Sequence, residues 1–232
     1  MSSSFEAFEA SIGVSFKNKD LLKQAFLHRS YLNEHKSIDI EHNERLEFLG
    51  DAVLELVVTD FLFHRFTAEN EGDLTAYRSA LVNTVTLSSV AAGLHMGDYL
   101  LLSKGEAKDM GRARQYILAN TYEALVGAIY LDRGYEAARD FITATVLPLT
   151  DEIVEKRLWQ DHKSSFQEKA QEKLGITPSY QTLREQGPDH DKHFVVGVFL
   201  DTELAAEGEG KSKQEAEQDA ARNALVRKGW NS

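Results

Sequence analysis

Residues 43–54 read NERLEFLGDAVL and set Glu44, Glu47 and Asp51 among Leu, Phe and Val. On a helix turning about 100° per residue, these acids fall within roughly 60° of one another. Like charges on one stripe repel, and a cation relieves the repulsion. Hard oxygen ligands in a chain without Cys suit magnesium or manganese. A second stretch, ILANTYEALVGAIYLD at 117–132, carries Asn120 and Glu123 three residues apart and so on one face. Two such helices packed with their acids converging would form a metal site between helices, able to activate a water and stabilise a phosphoryl transition state. The same spacing also describes a solvated acidic face, and spacing alone does not show that the two helices meet.

The elements that must position these residues read as helices throughout the first part of the chain. Apolar residues recur three and four apart at Leu21, Leu22, Ala25 and Phe26, then at Leu46, Leu49, Val53 and Leu56, then at Tyr122, Leu125, Val126 and Ile129. By the same periodicity Phe48 reads as core. The three Pro all lie at 148 or beyond, so no proline interrupts this part, and Gly72, Gly93, Gly97, Gly105 and Gly111 mark helix ends or loops.

After Pro148 the pattern changes. TDEIVEKRLWQDHK finishes a last helix and leads to a second unit. SSFQEKAQEKLG predicts a short helix with a Ser cap, apolar positions Phe166, Ala170 and Leu174, and Gly175 as its stop. PSYQTLREQ and HFVVGVFLD predict strands around the turn GPDH, with Phe194, Val196, Val198 and Leu200 on one face. ELAAEGEG predicts a third, weaker strand. SKQEAEQDAARNALVRKG predicts a helix capped by Ser212 and ended near Gly229.

The bulk numbers set outer bounds. The chain has 232 residues, 42% hydrophobic and 27% charged, which is ordinary for a soluble globular protein of one or two domains. A net charge of −11 argues against nucleic acid as a partner unless positive charge is placed locally. The absence of Cys excludes disulfides and thiolate metal sites and fits a reducing compartment. The first residues lack the basic and apolar regions of a secretory signal, and no apolar run approaches the ~20 residues of a membrane span. The expected location is the cytoplasm, with no membrane partner.

NERLEFLGDAVL resembles the signature stretch of the ribonuclease III family. AFLHRSYLNEH (25–35), EGDLTAYRSALVN (71–83) and ILANTYEALVGAIYLD (117–132) are similar to the other landmarks of its endonuclease domain, in the same order. Residues 162–229 are similar to the double-stranded RNA-binding domain that follows it. The resemblance implies a mainly α fold: an all-helical endonuclease domain over 1–155, then a small α+β domain (α-β-β-β-α) over 161–231. It implies magnesium-dependent cleavage of double-stranded RNA, with manganese able to substitute and no small-molecule cofactor beyond the metal. The expected products have 5′-phosphate and 3′-hydroxyl ends with a short 3′ overhang. It also implies a homodimer with one cutting centre per subunit, acting on structured precursors of ribosomal and messenger RNA.

Residue by residue, the resemblance makes Asp51 and Glu123 catalytic acids and Glu47, Asn120 and Glu123 metal ligands. Glu44 and Glu71 line the cleavage valley, and Phe48 inserts into the partner subunit. Asn120 departs from the family pattern, which usually has Asp there. An amide oxygen still ligates magnesium but brings no charge. One unit charge at ~4 Å is worth around 4 kcal/mol at an effective dielectric near 20, before desolvation. Metal affinity should therefore drop. Asn120 is either a natural variant or an engineered substitution.

In the second domain ten Lys and Arg face thirteen Asp and Glu over residues 161–232, so the positive charge matters by placement. Lys211 and Lys213 flank the cap Ser212, where a helix N-terminus already favours phosphate. The resemblance assigns phosphate binding to that end, a minor groove to Gln167 and Gln171, and the next minor groove to His190 in the GPDH loop. The family often has a further Lys where Gln214 stands. His28 reads as a partly buried, satisfied histidine and Arg29 as an exposed or paired side chain. The rival reading is a double-stranded RNA-binding homodimer whose cleavage is impaired by Asn120. A metal-binding dimer scaffold with no RNA role is opposed by the placed lysines and the GPDH loop.

Overall fold

The structure, a computed structural model, describes residues 5–37, 39–108, 111–155, 159, 161–187 and 192–230. The chain divides into two compact units, Met1–Trp159 and Gln160–Ser232.

The first unit is helical. Its centre is a pair of long helices, α4 (Glu44–Arg65) and α7 (Arg112–Arg133). Around them stand α1 (Phe5–Ile12), α2 (Lys19–Ala25), α3 (Arg29–Glu34), α5 (Glu71–Val82), α6 (Thr84–Gly93), α8 (Tyr135–Thr145) and α9 (Thr150–Glu155). The helix α7 is apolar on nearly every side from Ala119 to Ile129, as befits an element packed all round. By contrast α4 has three faces. Leu46, Gly50, Val53, Val57 and Val58 are buried. Glu44, Glu47 and Asp51 form the second face. Phe48, Leu56 and Phe63 form the third, at 82%, 58% and 66% exposure, and share an arc of about 80°. Two sequence expectations are corrected here: Leu56 and Phe48 are not core. A seam three and four residues apart admits both, but the width of α7 covers only one side of α4.

The α4–α7 crossing depends on glycine. A Cβ at Gly50 would lie 1.7 Å from the Glu123 carbonyl oxygen, and one at Gly127 would lie 2.2 Å from that of Leu46. No side chain fits at either position, so the two backbones touch. Asn43 fixes the start of α4. It is buried, its Nδ2 donates to the Ala25 carbonyl at 3.1 Å, and its backbone N–H donates to Leu27 at 2.9 Å. A cluster of Phe5, Phe8, Phe26 and Tyr99 packs beneath this junction, with ring centroids 4.9–6.0 Å apart. Among the described residues no helix is long and apolar enough to cross a membrane.

The second unit places α10 (His162–Leu174) and α11 (Lys213–Lys228) with an antiparallel sheet of order β1 (Ser179–Gln186), β2 (His193–Leu200), β3 (Glu203–Gly210). Phe194, Val196, Val198 and Leu200 are buried as expected, but so are Val195 and Gly197 between them, so the strand's burial does not alternate. The register of β1 with β2 shifts between Thr182 and Arg184, and that of β2 with β3 between Val198 and Phe199. A Cβ at Gly208 would meet the Ala220 backbone nitrogen at 2.0 Å, so glycine and alanine let α11 lie directly on β3. The expected caps of α11 are present: Ser212 Oγ accepts from the Glu215 N–H at 3.1 Å, and Gly229 closes the helix in the left-handed region. The start of α10 differs from expectation. Its cap is Asp161, whose carboxylate accepts from the Ser164 N–H at 3.1 Å and from Ser164 Oγ at 2.7 Å. An anionic acceptor outcompetes the hydroxyl one turn later. Leu174, expected on the buried face, is exposed, because Gly175 ends the helix there.

Candidate active site

The crossing of α4 and α7 decides where the acids lie. Glu47 and Asp51 sit on α4 one turn apart, flanking the level of Gly50. Glu123, on α7, is the residue whose backbone that glycine touches. The side chains meet as charges. Burial first, then the carboxylates of Asp51 and Glu47, push the Glu123 carboxyl up to about 8. Burial and Glu44 raise Glu47, the Asn120 amide opposes that shift by hydrogen bonding to the charged form, and Asp51 adds to it. The two helices therefore bring together Glu44, Glu47, Asp51, Asn120 and Glu123. Glu71 stands elsewhere, exposed at the start of α5, where its carboxylate accepts from Thr75 Oγ1 at 3.4 Å, and it is not among the charges acting on Glu47 or Glu123.

A cation already attends the outer acid: Arg29 Nη1 lies 3.6 Å from the carboxylate of Glu44, and the His42 ring nitrogen Nδ1 lies 3.8 Å from it. Arg29 is thus paired, as the sequence indicates. His28 caps α3 by accepting from the Ser30 N–H at 3.3 Å, and burial lowers its pKa. The segment after it is held to residues 101–104 by Ser30 Oγ, which accepts from the Ser103 N–H at 3.1 Å.

Among the described residues, no three His, Asp or Glu side chains are gathered closely enough to enclose a metal ion. What stands at the crossing is a partly buried set of oxygen donors, two of which are raised by burial first and by their mutual repulsion after it. That is the donor chemistry of a hard divalent cation: carboxylates together with one amide oxygen.

In the second unit, Gln167 and Gln171 are exposed on one face of α10. Lys213 Nζ lies 5.7 Å from the centroid of the Phe194 ring. The backbone N–H of Lys211 donates to the Glu215 carboxylate at 2.9 Å, which places a negative charge among the lysines. His190 lies outside the described residues. Lys163, not singled out from sequence, ties α10 to α11 through Glu217 at 2.5 Å and lies 4.8 Å from the centroid of the Tyr180 ring.

Residues 18–149 match the family model described as Ribonuclease-III-like, and residues 162–226 match the double-stranded RNA binding motif. The chain belongs to the ribonuclease III family. Ribonuclease 3 of Bdellovibrio bacteriovorus is 42% identical over 224 residues, covering 96% of this chain and 95% of its own length. Ribonuclease 3 of Bacillus licheniformis is 45% identical over 223 residues, covering 96% and 89%. The solved nuclease domain of ribonuclease III from Campylobacter jejuni, described as having flexibility in a region involved in dimer formation, is 40% identical. It superposes with a TM-score of 0.57 over 62% of this chain and 97% of its own. The chain is therefore a ribonuclease III-type endoribonuclease carrying a double-stranded RNA binding motif, with a mainly helical fold followed by a small α+β domain. Gly50 and Gly127 escaped the sequence reading. The signal was present, since each is a lone glycine inside an otherwise strong apolar helical pattern, where a close packing reason is expected.

Proposed function

We propose that this ribonuclease III cuts double-stranded RNA as a cytoplasmic homodimer with magnesium, or manganese in its place, and that it processes structured ribosomal and messenger RNA precursors. The observation that carries this reading is the charge coupling of Glu47, Asp51 and Glu123 across a glycine–glycine helix crossing. Glu47, Asn120 and Glu123 would hold the cation. When bound, it supplies neutralisation of the phosphoryl oxygens and acidification of a coordinated water. Holding it would require Glu123 to release a proton, because a carboxyl near 8 is largely protonated at neutral pH. Asp51 orients the attacking water and accepts its proton at a carboxylate oxygen as the new O–P bond forms. The P–O3′ bond breaks and the 3′ oxygen takes up a proton from solvent, leaving 3′-hydroxyl and 5′-phosphate ends.

Glu44, held by Arg29 and His42, and Glu71 line the approach of the duplex. The exposed stripe Phe48, Leu56 and Phe63 is the dimer face: three large apolar side chains in one arc of α4 mark an interaction surface, and Phe48, the most exposed, enters the partner. Gln167 and Gln171 read a minor groove, His190 the next one, and Lys211, Ser212 and Lys213 the phosphates between them.

A second reading, RNA binding with impaired cleavage, is favoured by one observation. Asn120 is neutral and acts on Glu47 through a hydrogen bond, where an acid would add charge. Incubating the protein and its Asn120→Asp variant with duplex RNA and magnesium separates the two. Cutting by both supports the enzyme as it stands. Cutting by the variant alone makes the parent an RNA-binding protein with a disabled centre. Neither cutting nor binding rejects both.

A further inference from the structure

Arg112 and Tyr116 extend the stripe of α7 that carries Asn120 and Glu123. The four positions are i, i+4, i+8 and i+11, which lie within about 80° of one helix face. Arg112 stands about 16 Å along the helix from Glu123. Its guanidinium carbon lies 5.8 Å from the centroid of the Tyr116 ring, and Nη2 donates to Tyr116 Oη at 3.4 Å. Both side chains are exposed, Tyr116 at 46%.

The other described arginines of this unit are engaged differently. Arg29, Arg45, Arg65 and Arg139 pair with carboxylates, Arg114 and Arg133 donate to backbone carbonyls, and Arg78 donates to Thr59 Oγ1 at 3.2 Å, on α5 rather than on the stripe of Asn120 and Glu123. Among the described residues no carboxylate pairs with Arg112. A guanidinium set against a ring keeps most of its planar fork of donors turned outward and loses little freedom when a phosphate arrives. In a chain of net charge −11, a cation with no carboxylate partner among the described residues lies along α7 in line with the acidic centre, where it can meet a phosphate of a bound strand.

We propose that Arg112 and Tyr116 are positioning residues for the RNA strand. Arg112 contacts a backbone phosphate and Tyr116 a neighbouring ribose hydroxyl, within about five nucleotides of the cleaved bond, given one charge per ~3.4 Å of axis on each strand. This rests on the duplex-RNA reading above. The pair adds grip and register on the substrate without touching the reacting atoms.

The test measures binding of the full chain to a labelled RNA duplex in EDTA across a salt series, followed by cleavage with magnesium. Arg112→Gln should lower the slope of log affinity against log salt by roughly 0.7–0.9, the loss of one phosphate contact. It should weaken binding about tenfold, raising KM with little change in kcat. Arg112→Lys should keep the slope, because it keeps the charge. Arg139→Gln, whose guanidinium is neutralised by Glu136 and Asp140, should leave slope and KM unchanged. In the unmodified protein, a duplex carrying 5-bromouridine near the cleavage position should photocrosslink to Tyr116. An unchanged slope in a folded Arg112→Gln protein, or no crosslink at Tyr116, overturns the proposal. So does a Tyr116→Ala variant that shifts the monomer–dimer balance, since the ring would then lie between subunits. A parent chain that neither binds nor cuts duplex RNA removes the functional reading itself, a result separate from these.

Discussion

Replacing Glu123 by Gln should make the metal-free protein more stable than the parent at pH 8 and change little at pH 4. The Glu123 carboxyl sits at about 8 in the fold against an ordinary value of 4.5. Below 4.5 the group is protonated in both states and contributes nothing. From there upward the unfolded chain ionises while the folded one keeps its proton, so stability falls by about 1.4 kcal/mol per pH unit until the folded group also titrates. Over the full interval the cost approaches ~5 kcal/mol. Between pH 6 and pH 8 it is at most about 2–3 kcal/mol, and partial access of water to this carboxyl brings the expected loss to about 1–2 kcal/mol. Glu47, also raised, adds to the loss with the same sign. Glutamine has the same shape and no proton to lose, so its variant lacks the Glu123 contribution. Urea unfolding in EDTA at pH 6, 7 and 8, followed by the helical circular dichroism signal, reads the difference directly. The parent curve should fall relative to the variant as pH rises, and magnesium should restore the parent more than the variant. Parent and variant running parallel from pH 6 to 8 would refute the claim that burial and the neighbouring carboxylates hold Glu123 protonated.

Gly50→Ala should cost about 3 kcal/mol or more, or abolish soluble protein, because its Cβ would meet the Glu123 carbonyl at 1.7 Å. Gly93→Ala, with nothing within 4 Å of its Cβ, should be neutral or slightly stabilising in the same urea assay. Phe48→Asp should shift the protein towards monomer in sedimentation, since it removes the most exposed ring of the α4 stripe. Ser212→Ala should cost about 1 kcal/mol, confined to the RNA-binding domain, as hydrogen exchange in α11 would show.

The C-terminal domain was nearly transparent in the sequence because its signals are local. Ser212 and Gly229 bracket a helix by capping chemistry, and the alternation from Phe194 to Leu200 fixes a strand by period alone. The cap at Asp161 was missed because two serines nearby offered the same chemistry with less charge. In the helical unit, period identified the helices but not which apolar residues face inward. Phe48 and Leu56 obey the same spacing as Leu46 and Val53, and only the presence of α7 along one side of α4 tells them apart. Glu44, Glu47 and Asp51 could be placed on one stripe, and Asn120 with Glu123 on another. That the stripes meet was not legible, since it depends on two glycines seventy-seven positions apart, Gly50 and Gly127. Their contact is long-range and leaves no periodic trace.

The backbone contact at that crossing separates two properties that most helical cores link. Where side chains fill the gap between helices, every substitution in the gap shifts the helix axes. Here main chain rests on main chain, so apolar residues elsewhere in α4 and α7 can exchange volume, and melting temperature can drift, while the span between Asp51 and Glu123 stays put. Chemistry and durability can then change independently over generations, provided neither glycine acquires so much as a methyl group.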